Sequence, residues 1–192
     1  MPSAFRPEEQ RSIRTALLAA ARRSAETTGM KNVTVENITR EAGISKGAFY
    51  RFYETKELLF LDMMEEFFRH LGEHLAERKK SLPEQAPELT SEKLLLEGLR
   101  SVTSPALSRF FSEDAPALFR KLTPEQKAAH FASTEEYLRR LLLGNGIRLN
   151  VPEPAAVSAI QLLLSCAAQN TGRTNAVDIL SESLSRYLVR GA

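Results

Sequence analysis

Apolar positions recur at three- and four-residue steps along almost the whole chain. Val/Ile/Thr-rich alternation never persists beyond a few residues. The pattern predicts an all-α protein of about nine helices. The first covers about 8–28 and stops at Thr28-Gly29, a C-terminal glycine. Two short helices, about 35–42 and 45–52, flank Gly43-Ile44. A long helix follows Thr55 towards Ser81, with Leu58, Leu59, Leu61, Met64, Phe67, Phe68, Leu71 and Leu75 on its apolar side.

The polar, proline-bearing stretch 83–89 reads as a loop, and helices are expected at about 91–103, 105–112 and 115–121. Thr123-Pro124-Glu125-Gln126 is the sharpest start signal, with a capping threonine, proline at the first helical position and glutamine three residues after the cap. That helix is expected to reach Leu143 and stop at Gly144-Asn145-Gly146. VPEP at 151–154 introduces a helix to Gln169, and Asn175 caps a last one to about Val189. The organisation is bipartite: a three-helix unit, residues 1–54, joined through the long helix to a larger helical body, residues 55–192.

Composition changes this picture little. With 43% hydrophobic and 26% charged residues, the chain is an ordinary globular protein, with no apolar run of membrane-spanning length and no secretory leader pattern in MPSAFRPEEQR. A single cysteine, Cys166, excludes an internal disulfide and fits a reducing cytoplasm. Residues 1–60 hold ten Lys+Arg against seven Asp+Glu, a net +3, and the remainder sixteen against seventeen, a net −1. This mild asymmetry singles out the N-terminal unit as the part to inspect for a polyanion site.

Within that unit, TVENITREAGISKGAFYRFY at 34–53 has the layout of a helix-turn-helix. Thr34 caps the first short helix, and Ile38 and Ala42 share its inner face. Gly43 supplies a positive φ, Ile44 plugs the angle, Ser45 caps the second helix and Phe49 points inward. Lys46, Gly47, Ala48, Tyr50 and Arg51 are then outward. Gly47 and Ala48 let the backbone approach a groove wall, and the glycine's helical penalty of about 0.5–1 kcal/mol makes sense in a major groove. Tyr50 can donate to a phosphate oxygen, and Lys46 can reach a guanine edge. Lys56, ill-placed for its own helix dipole, would be balanced by a phosphate.

These residues resemble the DNA-binding domain of the TetR/AcrR family of transcriptional regulators. The resemblance runs over about residues 13–60 and rests on Gly29, Thr34, Val35, Ile38, Ala42-Gly43, Ser45, Gly47, Tyr50 and Thr55-Lys56-Glu57. It implies phosphate contacts at Thr34, Ser45, Tyr50 and Lys56, and base reading at Lys46, Gly47 and Ala48, with Arg51 beside them. Three positions depart from the family pattern. Ser24-Ala25 replaces leucine-phenylalanine and thins that corner of the core, Thr39 replaces alanine, and Phe52 replaces a histidine that is a candidate phosphate donor.

For the body, the resemblance implies a small-molecule effector and a homodimer on a double-stranded, near-palindromic operator, with the two reading helices about 34 Å apart. In the last two helices Val157, Ile160, Leu164, Val177, Leu180, Leu184 and Tyr187 form a repeating apolar series suited to an intersubunit four-helix bundle. Leu162, Leu163 and Cys166 make a second apolar side on the first of these helices. The aromatic-rich middle offers a lining of Met63, Phe67, Phe110, Phe111, Phe119, Phe131 and Tyr137, with His130, Gln161 and Gln169 as polar groups. Such a lining suits an apolar or aromatic compound.

No cofactor is implied. Glu66, His70 and His74 share a helix face at metal-ligating spacing, but long helices commonly expose such residues. No nucleophile–base pair, phosphate-cradling glycine loop or paired catalytic carboxylates point to an enzyme. Two readings remain: a ligand-released repressor, and a DNA-bound scaffold of the same fold that recruits protein partners without an effector.

Overall fold

A computed structural model of the chain describes residues 6–82, 86–103, 110–169 and 174–190. Among the described residues there are nine α-helices and no strand. They are α1 (Pro7–Thr27), α2 (Val35–Ala42), α3 (Lys46–Phe49), α4 (Lys56–Lys80), α5 (Pro87–Val102), α6 (Ala115–Lys121), α7 (Pro124–Gly144), α8 (Glu153–Gln169) and α9 (Thr174–Arg190). A π-helical turn, Phe110–Asp114, leads into α6. Most of the expected helix at 105–112 lies outside the described residues, and its last three positions fall in this turn.

Local chemistry accounts for most boundaries. Thr34 Oγ1 accepts from Asn37 N–H at 3.2 Å while Asn37 Oδ1 accepts from Thr34 N–H, a reciprocal capping box. Ser45 Oγ accepts from Ala48 N–H at 3.1 Å, and Thr123 and Gln126 repeat the reciprocal box at the head of α7. Gly43 closes α2 at φ 69°, in the left-handed region that a Cβ disfavours. Helix α5 begins four residues before the expected start. Pro87 occupies its first turn, where the missing N–H is no loss, so the proline begins a helix rather than marking a loop.

The core runs the length of α4. Phe49, Phe60 and Ile38 are fully buried at the N-terminal end, and Leu75, Leu94 and Leu142 at the other. Phe60 stacks on Phe110 at 6.2 Å, joining α4 to the π-helical turn. Around α4 stand α1, α5, α6 and α7, while α9 lies along α5.

The thinned corner at Ser24-Ala25 is closed over, with both residues buried. Beside it a groove of about 570 Å³ opens between the end of α1 and α2, bounded by Arg23, Asn32, Asn37 and Arg40.

Candidate nucleic-acid interface and body cavity

Helix α3 is shorter than the expected 45–52. Regular α-helix ends at Phe49, and the chain winds on to Tyr53 through bonds from Arg51 N–H to Ala48 O, Phe52 N–H to Phe49 O and Tyr53 N–H to Phe49 O. Phe49 is fully buried, and its ring meets Tyr50 edge-on at 5.3 Å and Tyr53 at 6.0 Å. Tyr50 itself is 56% exposed, and no described residue holds its hydroxyl.

Lys46, Gly47 and Arg51 are exposed beside it and Ala48 is half-buried. A Cβ built on Gly47 would meet nothing closer than Ser45 Oγ at 3.9 Å, an ordinary contact. Its φ is not positive, so the chain's own packing does not demand a glycine there. Thr34 and Ser45 are exposed, but both hydroxyls also serve as caps.

Two cations already have partners. Lys46 Nζ pairs with Glu36 across the turn. Lys56 Nζ donates to Met30 O and Val33 O at 2.7 Å each, so this lysine secures the α1–α2 loop from below. Burial pulls its pKa below the ordinary lysine value. The same loop is held on its amide side by Asp114. This buried carboxylate accepts from Met30 N–H at 2.7 Å and Lys31 N–H at 3.3 Å. Gly29, at φ 81°, makes the approach possible, since a Cβ there would stand 3.1 Å from Asp114 Oδ2. Beside it, Lys121 Nζ donates to the nearly buried Glu57 at 2.6 Å.

A third clamp joins α1, the end of the reading segment and α4. Asp62 accepts from Arg14 Nη2 at 2.5 Å and Nε at 3.0 Å, and also from the Tyr53 hydroxyl. Burial first, then the bond to Asp62, pushes the Tyr53 phenol far above its ordinary range. The bond to Asp62 also raises Arg14. None of Asp62, Asp114 or the carbonyls under Lys56 was legible in the sequence. Apart from Tyr53, nine residues before Asp62, their partners lie 23 to 84 residues away, and no local spacing signals them.

In the body the expected lining residues separate into three groups. Met63 and Phe110 are buried core, and Phe67 packs edge-on against Phe68 at 5.6 Å. Phe119, His130 and Phe131 form an outer cluster in which the two phenylalanines stack at 5.6 Å and Phe131 is 57% exposed. His130 is buried there, with Nδ1 3.4 Å from Glu65 Oε1 and Nε2 3.3 Å from Thr134 Oγ1. The side chains of Phe111 and Gln169 lie outside the described ones, and Gln161 is half-buried on α8.

Of the expected set only Tyr137 borders a narrow slot between α4, α5, α7 and α8, together with Phe68, Leu71, Leu99, Leu141 and Ile160. The slot has a volume of about 20 Å³. Glu66, His70 and His74 do not gather as one set among the described residues: Glu66 lies with Arg69, Arg14 and His70, whose Nε2 is 3.4 Å away, while His74 Nε2 sits 3.0 Å from Glu97 on α5.

The expected interface series also divides. Val157 and Ile160 are buried within their own chain, Ile160 against the slot, so they are not available to a second subunit. Leu164, Val177 and Leu184 are half-buried. The outward apolar side of α8 is instead Leu162 with Cys166, and that of α9 is Ile179, Leu180 and Tyr187. No helix among the described residues is long and apolar enough to cross a membrane.

The architecture is that of a two-part helical protein whose N-terminal helix-turn-helix is braced by the long helix of its body. Residues 17–63 match the sequence model of the bacterial regulatory proteins of the tetR family, so the chain carries the N-terminal domain of the TetR family of transcriptional regulators. A comparison with curated protein sequences gives no match.

Similar folds among solved structures extend over nearly the whole chain. RolR in complex with resorcinol is 21% identical with a TM-score of 0.65, covering 97% of this chain and 92% of that one. A TetR transcriptional regulator from Rhodococcus sp. RHA1 is 16% identical with a TM-score of 0.66, covering 95% and 98%. Thermus thermophilus FadR, a TetR-family repressor in complex with lauroyl-CoA, is 18% identical with a TM-score of 0.63, covering 93% and 94%.

Proposed function

We propose that this protein is a ligand-responsive transcriptional repressor that binds a near-palindromic double-stranded operator as a homodimer and is released by a small, largely apolar effector. The observation that carries the reading is the outward face of the reading segment. Lys46, Gly47 and Tyr50 are exposed together, Tyr50 has an unclaimed hydroxyl, and Gly47 sits where the chain's own packing makes no demand for it. A glycine that internal packing does not require is explained by a flat wall brought up from outside, and a major groove is such a wall. On this reading Thr34, Ser45 and Tyr50 touch phosphates, Lys46 leaves Glu36 to reach a base edge, and Arg51 adds charge alongside.

The division of labour belongs to the same proposal, with residues 1–54 reading DNA and residues 55–192 binding the effector and pairing subunits. Leu162 and Cys166 on α8 and Ile179, Leu180 and Tyr187 on α9 supply the pairing surface. Large exposed aliphatic and aromatic side chains on adjacent helices are what a helix bundle between subunits buries. That RolR and FadR were solved with resorcinol and lauroyl-CoA supports a small-molecule site in a body of this fold. Helix α4 lines the slot and also carries Lys56 beneath the α1–α2 loop, so a ligand that parts the slot moves the support of the reading unit.

The test is selection of random duplex DNA by the purified protein, with sequencing of the retained fraction. A palindromic motif with half-sites about one helical turn apart is expected. Retention of no motif by a folded, dimeric protein overturns the reading.

A further inference from the structure

The body slot holds a feature that its packing does not explain. Its walls are hydrocarbon from four helices, with Phe68 tilted against Tyr137 at 5.4 Å and Leu71, Leu99, Leu141 and Ile160 completing it. Into this setting the chain places one polar atom, the Tyr137 hydroxyl. That oxygen is inaccessible to solvent and meets no described residue in good hydrogen-bond geometry, its nearest polar neighbour being the Gly72 backbone amide, which is already committed to its own helix. A buried polar group left without a partner is destabilising, and replacing it by an apolar group of the same shape removes the penalty. Phenylalanine at this position would therefore pack as well and lose nothing within the chain.

The opposite wall is shaped around the same oxygen. Gly72 on α4 faces the hydroxyl, and a Cβ there would stand 3.1 Å from it. Any larger residue at 72 would press directly on the phenol. Burial, opposed by the Gly72 backbone, raises the Tyr137 phenol well above its ordinary range, so the hydroxyl is a neutral donor at any physiological pH. Lysine, arginine, aspartate and glutamate are all missing from the slot's lining. A charged headgroup placed there would lose its hydration with nothing to replace it.

We propose that the slot is the seat of the effector, that Tyr137 is its hydrogen-bonding anchor, and that the effector is an uncharged, mostly hydrocarbon molecule bearing a single accepting oxygen, such as a phenol, ketone or alcohol. This rests on the reading of the body as an effector-binding unit and adds the chemical class and the anchor. At about 20 Å³ the resting slot has room for little more than a water molecule. Admission of such a ligand therefore parts α4 from α7, and the hydroxyl gains its partner in the opened state only.

The experiment uses the full chain, as wild type and Tyr137→Phe, titrated by calorimetry with three probes of similar size: 4-propylphenol, propylbenzene and 4-propylbenzoate. Wild type is expected to bind the phenol roughly tenfold more tightly than the hydrocarbon, and to give no heat with the carboxylate. Tyr137→Phe is expected to bind the phenol and the hydrocarbon alike, while its own melting temperature is equal to or above that of wild type. A hydroxyl with a merely structural role would instead lower the melting temperature on removal.

An unchanged preference for the phenol in Tyr137→Phe overturns the anchor, and tighter binding of the carboxylate overturns the chemical class. Absence of binding by all three probes overturns the proposal as a whole. DNA selection run on the same preparation reports separately, since a protein that retains a palindromic motif yet binds no probe fails here and not as a regulator.

Discussion

Asp114 is the test of whether the body holds the DNA-reading unit in place. Its carboxylate is buried and accepts from Met30 N–H at 2.7 Å, a short bond, and from Lys31 N–H at 3.3 Å, a long and partly wet one. Bonds to a charged acceptor contribute about 1.5–3 kcal/mol net, and the short one should carry nearly all of it. Asp114→Ala removes that bond and leaves the Met30 amide buried without a partner, so a loss of about 3 kcal/mol is expected. Asp114→Asn keeps one oxygen for Met30 but turns an NH2 towards Lys31, so about 1–2 kcal/mol should go.

Against a total stability of about 5–15 kcal/mol, both losses are well within reach of urea unfolding followed by circular dichroism. The loop that Asp114 holds runs straight into Thr34 at the head of α2, so affinity for a selected operator should fall alongside stability. If Asp114→Ala unfolds within about 0.5 kcal/mol of wild type, the amides are satisfied elsewhere and the reasoning is wrong.

Three further outcomes follow from the site. Tyr50→Phe keeps the ring against Phe49 and removes only the hydroxyl, so binding to specific and random DNA should weaken alike by about 1 kcal/mol, without change in salt dependence, in a fluorescence titration. Lys56→Met should destabilise the fold by about 1.5–3 kcal/mol because two carbonyls lose a cationic donor. Its effect on the slope of log K against log salt should stay well below one; a slope reduced by about one with stability unchanged would return Lys56 to the phosphate contacts.

Burial pushes the Glu57 carboxyl up, but the bond and charge of Lys121, together with a backbone amide and the Lys56 charge, hold the group below its ordinary value of 4.5. A depressed folded pKa contributes stability above the unfolded value and loses it as pH falls through the folded one. Lys121→Met should therefore be less stable than wild type near neutrality, and the difference should shrink as pH falls below 4.5, which urea melts across the pH range will follow.

What was legible in the sequence was what local hydrogen bonding decides. Thr34, Ser45 and Thr123 cap within three residues, and Gly43 adopts the one φ sign its turn needs, so short spacing suffices to find them. Lys56, in the first turn of α4, is poorly placed for its own helix dipole, and that alone points to an outside anion. Its carbonyl partners are 23 and 26 residues away, which sequence spacing does not encode.

Helix α8 is apolar on two sides, and periodicity alone does not say which side meets the same chain. The structure turns Val157 and Ile160 inward and leaves Leu162 outward. Sequence spacing does not tell the body's aromatics apart, yet Phe119 and Phe131 stack on each other near the surface. Meanwhile the polar atom in the slot belongs to a tyrosine that spacing marked no differently from the rest.

The brevity of α3 limits how far this reading unit can be transplanted. Four residues of regular helix are far below the length that holds itself together in water. The segment keeps its shape because Phe49 is buried and because Tyr53 is held through Asp62 to Arg14, neither of the last two within residues 34–53. Grafting those twenty positions onto another scaffold would transfer the exposed side chains without the frame that aims them. An exchange of operator preference would have to carry Arg14, Tyr53 and Asp62 as a set.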